Sequence, residues 1–306
     1  MAEAAMAEMA MSDVMAGLPR PVAMPTDLAL GSPYRSAWRM AAYLIFACAI
    51  ASLQVVCMAL KSRLSHVLPM VYHRVCCRLL DISIEVRGSM ATARPTLFVC
   101  NHSSYLDISI LGSIVPGSFV AKTEVADWPF FGFLAKLQRT VFIDRRRNTT
   151  HRQREGLALR LKAGDNLILF PEGTSNDGNR TLPFRSSLFA VAERAEGSEP
   201  GTPPLTVQPV SLAYTRLNGF PIGRNLRPYF AWYGDMDLFG HLWRVLGLGR
   251  ITVALEFHPP VTLAQFGSRK ALSEHCRQAV SEGMASALAG RCDDAAAAPD
   301  PAKQYT

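Results

Sequence analysis

The stretch FVCNHSSYLDISIL, residues 98–111, decides how this chain reads. An apolar run breaks at Asn101-His102 and resumes as an apolar helical pattern, with Ser103 or Ser104 expected as the N-cap. A buried strand that turns straight into a helix is a unit of an α/β fold. Open α/β sheets place ligand sites at the C-terminal edge of their strands, which is where His102 falls. With His102 in the turn and Asp107 on the first helical turn, the carboxylate can reach back to the imidazole. That contact would set the tautomer and favour the imidazolium formed when His102 takes a proton. On its own an H-x-x-x-x-D pair is common by chance, and the capping turn in which both side chains merely solvate is the better reading of it.

Working outward, short apolar runs alternate with helical patterns from residue 82 onward. Strands are expected at 82–88, 96–101, 118–122, 140–145, 166–170, 205–214 and 251–258, and helices at 129–138, 149–164 and 183–196. This is the pattern of an α/β domain with helices on a largely parallel sheet. Residues 196–204, EGSEPGTPP, read as a loop, and no internal repeat is visible.

Toward the N-terminus, residues 40–60 are uncharged throughout, and Arg35 and Arg39 precede them while Lys61 and Arg63 follow. As a helix the run would be about 30 Å long, the thickness of a bilayer core. A cleaved leader does not fit, since the preceding segment is too long and the apolar run exceeds an ordinary signal core. Residues 64–80 mix apolar positions with His66, His73, Arg74 and Arg78, as an amphipathic interfacial helix does. Either residues 40–60 span the membrane, or both segments form a hairpin in one leaflet. If they span, the basic excess that follows places the rest of the chain in the cytoplasm. The domain plan is then a disordered tail over 1–33, a membrane-associating helical segment over 34–80, a catalytic domain over 81–290 and a disordered tail over 291–306.

Composition agrees with a membrane surface. Of 306 residues, 49% are hydrophobic and 19% charged, with a net charge of +7. Average soluble domains carry roughly 25% charged residues. A pI near 9.2 also admits nucleic acid. No zinc-finger spacing, basic heptad helix or aromatic RNA-binding consensus supports that partner, and none is expected. The seven Cys are irregularly spaced, without a C-x-x-C, and read as reduced thiols packed as small hydrophobes, Cys76 and Cys77 included.

Three further stretches bear on chemistry. In FPEGT, 170–174, Pro171 ends a strand for want of an N–H and Gly173 permits a tight turn, so Glu172 and Thr174 are presented at a second strand end. FIDRRR, 142–147, ends a third strand in guanidinium groups suited to a phosphate or carboxylate, or in a solvated basic loop. In VQPVSL, 207–212, Pro209 inside an apolar strand suggests an edge, a bulge or the approach of a ligand.

NHSSYLD, FIDRRR, FPEGT and VQPVSL resemble, in order and rough spacing, the four blocks of the lysophosphatidic acid acyltransferase (1-acylglycerol-3-phosphate O-acyltransferase) family. The resemblance covers about residues 80–260 and implies the glycerolipid acyltransferase fold with an N-terminal membrane helix or helical hairpin. It implies transfer of a fatty acyl group from an acyl carrier protein or coenzyme A thioester to the hydroxyl of a lysolipid, with no cofactor and no metal. His102 and Asp107 would be the catalytic pair. Arg145, Glu172, Gly173 and Thr174 would bind the acceptor. Asn101, Pro171 and Pro209 would support the acyl side or the site's structure. The active domain would face the cytoplasm on the inner membrane.

One departure stands out. The family's third block usually continues with Arg after Thr, whereas this chain has Ser175. FPEGTSNDGNR…LPFRSSLF and AWYGDMDL (231–238) look more like the bacterial lyso-ornithine lipid O-acyltransferase branch, whose head group is a zwitterionic amino acid. Alternatively Arg180 or Arg185 replaces the missing guanidinium and the acceptor is lysophosphatidic acid. Readings from other classes are a metal site on His102, Asp107 and Glu172, a non-catalytic lipid-binding membrane protein, and serine hydrolysis, for which no G-x-S-x-G elbow is present.

Overall fold

The computed structural model describes residues 30–143, 160–161, 164–192 and 205–291. The expected tails (beyond their inner ends), most of the 149–164 helix, the 196–204 loop and Arg145 lie outside the described residues.

The helices with both ends among the described residues are α1 (Pro33–Ala59), α2 (Leu68–Leu79), α3 (Leu106–Ile114), α4 (Phe131–Leu137), α5 (Leu238–Leu246) and α6 (Arg269–Leu288). The strands are β1 (Ile82–Gly88), β2 (Thr96–Cys100), β3 (Ser118–Lys122), β4 (Val141–Ile143), β5 (Leu167–Leu169), β6 (Thr206–Leu217), β7 (Phe220–Pro221) and β8 (Ile251–Phe257). Every expected strand is present. The expected 183–196 helix opens as a 3₁₀ turn at Ser186–Phe189 that passes into α-helix at 190–192, and residues 193–196 lie outside the described residues.

All strands join one sheet in the order β1-β8-β6-β2-β5-β3-β4, with β7 paired to β6. Strands β6, β2, β5, β3 and β4 run parallel to one another, and β8 is antiparallel to β6. The C-terminal ends of the five parallel strands therefore share one edge. Strand β2 is buried at every residue, as a central strand covered on both faces must be. Phe98 and Cys100 point into a core with Ile110 and Leu111 of α3 and Cys77 of α2, while Leu97 and Val99 face Leu272, Cys276 and Val280 of α6. Cys76 and Cys77 are both 5% exposed and are free thiols packed in the interior.

Pro209 does not lie on an edge. Strand β6 is central, and Pro209 pairs with Val99 of β2. The missing N–H is tolerated because the ladder on the other side is broken there. Strand β8 ends at the Val210–Phe257 pair, and contact resumes only at the isolated Val207–Val261 bridge, past Pro259 and Pro260. The Pro209 carbonyl still accepts from His258 N–H at 3.0 Å.

Helix α1 opens with a Ser32 cap and Pro33 in its first turn. Ser36, Arg39, Ala47, Gln54 and Cys57 are its buried residues, a stripe at helical spacing along most of its length. That stripe is pinned near both ends by polar bonds. Arg39 Nη1 donates to the carbonyls of Leu246 and Leu248 at 3.0 and 2.8 Å, at the negative end of the α5 dipole. Ser36 Oγ donates to Trp243 O, and Gln54 Nε2 donates to Ser65 O and Leu137 O. The opposite face is apolar and open: Tyr34, Trp38, Leu44, Ile45, Leu53, Val56 and Leu60 are all exposed. It is the one helix among the described residues long and apolar enough to cross a bilayer.

Candidate active site

The turn between β2 and α3 carries His102. Asn101 fixes where that turn begins by extending the β2–β6 ladder with its side chain: its Nδ2 donates to Leu212 O at 2.9 Å, and its Oδ1 accepts from Leu212 N–H at 2.8 Å. The helix N-cap is Tyr105 rather than a serine, and it makes no side-chain cap. Ser104 Oγ accepts only a long bond, 3.4 Å, from Leu106 N–H. The capping is done by Asp107, whose Oδ2 accepts the amides of Ser103 and Ser104 at 2.8 and 2.9 Å.

The same Oδ2 lies 2.9 Å from His102 Nδ1. Asp107 is fully buried and sits in the first helical turn, where the helix dipole favours an anion. Its contact assigns the His102 proton to Nδ1 and leaves Nε2 as an acceptor. The imidazole stacks on Phe170 with ring centroids 4.1 Å apart and stays partly open to solvent. An imidazole held this way can take a proton from a hydroxyl and pass it on.

Tyr214, a residue no motif pointed to, completes the arrangement. Strand β6 runs on past its last pairing with β2, at Cys100–Val210, and Tyr214 lies four positions further along the same face. Its hydroxyl donates to Asp107 Oδ1 at 2.6 Å. Burial, then the Asp107 charge, pushes the phenol well above its ordinary range, so it remains a donor.

The Phe170–Thr174 turn reaches the same place because β5 is the neighbour of β2. Gly173 adopts φ +77°, a left-handed conformation that suits glycine. Glu172 is buried at 3% exposed, with Oε2 accepting from Asn176 Nδ2 at 2.8 Å and Oε1 lacking a partner among the described residues. Burial drives its carboxyl well above the usual range. The Asn176 amide and the N–H groups of Leu182 and His102 pull it part of the way back. Asn176 in turn donates to His102 O from its backbone and its side chain, both at 3.2 Å. Thus Glu172 lies beneath the His102 turn, Thr174 is half-buried on its rim, and Pro171 accepts from Arg185 N–H at 2.9 Å. Arg180 is exposed, and burial lowers the Arg185 pKa. No group of three or more potential metal ligands is assembled among the described residues.

The segment that carries AWYGDMDL closes over this turn. Trp232 N–H donates to Ser103 O at 2.8 Å, and Ser175 Oγ donates to Trp232 O. The Trp232 ring meets Tyr105 and Trp128 edge-on. Tyr105 Oη lies 3.0 Å from His241 Nδ1, and His241 Nε2 lies 3.1 Å from Tyr229 O. Burial and Arg244 lower His241 to about 4, so it is neutral and donates to the Tyr229 carbonyl from Nε2 while accepting from Tyr105 at Nδ1.

Residues 83–213 match the Acyltransferase family model. The chain is 42% identical over 253 residues to a lyso-ornithine lipid O-acyltransferase of Brucella abortus (strain 2308), covering 82% of this chain and 94% of that protein. It is 39% identical to a lyso-ornithine lipid O-acyltransferase of Rhizobium meliloti (strain 1021), covering 79% and 83%. A 1-acyl-sn-glycerol-3-phosphate acyltransferase of Neisseria gonorrhoeae is 31% identical, with 66% and 74% covered. The crystal structure of a 1-acyl-sn-glycerophosphate acyltransferase from Thermotoga maritima aligns with a TM-score of 0.49 at 23% identity, covering 71% of this chain and 77% of that one. The chain belongs to the acyltransferase family that contains the lyso-ornithine lipid and acylglycerol-phosphate enzymes, and it is a lysolipid acyltransferase.

Proposed function

We propose that this enzyme transfers a fatty acyl group from an acyl thioester, on acyl carrier protein or coenzyme A, to the hydroxyl of lyso-ornithine lipid. The observation that carries the chemistry is the 2.9 Å contact between His102 Nδ1 and a fully buried Asp107. His102 Nε2 takes the proton of the acceptor hydroxyl as its oxygen attacks the thioester carbonyl. Asp107 holds the ring and balances the imidazolium. The new ester C–O bond forms, the C–S bond breaks, and the imidazolium returns its proton to the departing thiolate. Glu172, Gly173 and Thr174 shape the acceptor side, Asn101, Pro171 and Pro209 hold the strand ends, and Arg145 supplies an anion contact. The acceptor is argued from the names of the relatives above 35% identity and from Ser175 standing where a phosphate-binding Arg is usual in the acylglycerol-phosphate enzymes.

The enzyme acts at the inner membrane from its cytoplasmic face, where acyl thioesters are made, with residues 34–80 as the attachment and 81–290 as the acyltransferase domain. The buried stripe along α1 favours the one-leaflet arrangement over a span, because α1 lies against the domain at both of its ends. Its open apolar face, continued by Leu64, Val67, Phe133 and Trp243, enters the leaflet.

The test is incubation of the purified enzyme with labelled acyl thioester on each carrier and a panel of lysolipids. Labelled ornithine lipid is the expected product. Turnover of lysophosphatidic acid alone would overturn the acceptor, and failure with every thioester would overturn the reaction.

A further inference from the structure

The loop after the Phe170–Thr174 turn and the segment 223–236 meet beside the His102 turn and hold a group of charged and polar side chains that the chemistry above does not use. Gly178 (φ +74°) lies between them: a Cβ there would sit 3.8 Å from Ser103 Cβ and 3.9 Å from Arg227 Cβ. Arg227 is therefore separated from the residue after His102 by one layer of backbone.

Among the described residues the Arg227 side chain commits only Nη1, which donates to Asn179 Oδ1 at 2.9 Å. Its Nε is buried and has no partner among the described residues. Tyr233 is 3% exposed, and its hydroxyl is also buried without a partner among the described residues. Asp177 is buried as well, and among the described residues its carboxylate accepts from Asn179 alone, through the backbone N–H at 3.1 Å and the side-chain Nδ2 at 3.2 Å. Both donors feel Asp177. Burial and Arg224 lower Arg227 while Asp177 raises it, and burial followed by Asp177 raises the Tyr233 phenol, which stays a donor.

Buried donors without acceptors are uncommon in native proteins, and at a site for a polar ligand they are the groups the ligand satisfies. Two such donors call for an anionic oxygen, and the carboxylate beside them calls for a cation. Ornithine whose one amine carries the first acyl chain keeps both, a carboxylate and a second amine that is an ammonium at neutral pH.

We propose that Arg227 and Tyr233 bind the carboxylate, and Asp177 the ammonium, of a zwitterionic amino-acid head group. This deepens the acceptor reading above and rests on it. Arg227 then supplies from the 223–236 segment the guanidinium that Ser175 does not. Ser175 is instead used to hold that segment in place through the Trp232 carbonyl.

The experiment compares kcat/KM of the full-length enzyme for lyso-ornithine lipid, its N-acetylated analogue and its carboxamide analogue, with one acyl thioester. Wild type is expected to prefer the parent over each analogue by about tenfold or more, the usual effect of one charge-assisted contact. Asp177→Asn should abolish the preference over the N-acetyl analogue alone. Arg227→Gln and Tyr233→Phe should abolish the preference over the carboxamide alone. Each ratio is taken within one preparation, so partial misfolding cancels. Arg227→Lys, which keeps the charge but not the planar fork, serves if the Gln variant is too unstable to assay, and should lower the carboxamide ratio. Turnover of lyso-ornithine lipid with ratios that the substitutions leave unchanged, or with no preference in wild type, overturns the subsite and leaves the acceptor standing. A wild type inactive on lyso-ornithine lipid overturns the acceptor and the subsite together.

Discussion

The hydroxyl of Tyr214 donates to Asp107 Oδ1 at 2.6 Å while His102 occupies Oδ2 of the same carboxylate. With the two amides of the turn, four protein donors surround one buried charge. Asp107 is therefore held in place before any substrate arrives.

Tyr214→Phe removes one of those donors and nothing else. Hydrogen bonds to charged groups contribute roughly 1.5–3 kcal/mol, so the variant should unfold several degrees lower. It should also lose about tenfold in kcat, with KM for the lysolipid nearly unchanged, because the phenol touches Asp107 and not substrate. A loss confined to KM would show that Tyr214 contacts the acceptor instead.

His102→Ala should lower kcat by about 10²–10⁴ while the protein stays folded, since the imidazole caps nothing and is partly open. Asp107→Asn should lose activity to a similar degree and also unfold earlier, because it forfeits the charge that caps the amides of Ser103 and Ser104. Circular dichroism melts beside turnover separate the two effects. Equal melts for both variants would contradict the capping role of Asp107.

Glu172 predicts a pH dependence of stability. Its folded-state pKa lies above that of the unfolded chain, so the folded protein binds more protons at this position and stability falls as pH rises past the ordinary glutamate range. Glu172→Gln keeps an oxygen for Asn176 without the buried charge. Its melting temperature should exceed wild type at pH 7, and the difference should shrink toward pH 4. Parallel melting curves across that range would count against a buried, proton-binding Glu172.

Ile45 and Val56 lie on the open face of α1, 72% and 53% exposed. Neither side chain belongs to a buried cluster, so the fold should survive Ile45→Glu with Val56→Glu. Burying an aliphatic side chain is worth about 1.5–3 kcal/mol, so flotation with phospholipid vesicles should weaken by tenfold or more. Flotation equal to wild type would exclude this face as the membrane contact.

Much of this protein is legible in its sequence where the determining physics is local. The apolar runs at 82–88 and 118–122 are strands because β-branched and aromatic residues fit a pleated, buried surface. The break at Asn101-His102 is a turn between strand and helix, and Asp107 is near enough in sequence to reach back across it. The helix α6 is legible too, since Leu272, Cys276, Val280 and Met284 are buried at intervals of four behind a Ser268 cap, although it carries no motif. Other features had no local signature. Strand order alone puts β5 against β2, and with it Glu172 beneath a histidine seventy positions away. The overrun of β6 alone brings Tyr214 to Asp107, and the broken β8 ladder alone lets Pro209 sit in a central strand. Residues 40–60 are uncharged and nearly all apolar, so no apolar period in them marks which face meets protein; Arg39 and Gln54, bonded to carbonyls far along the chain, decide it. Local pattern is set by which side chains a few neighbouring residues must bury, whereas a site is set by which strand ends become neighbours, and that depends on how the whole chain packs at once.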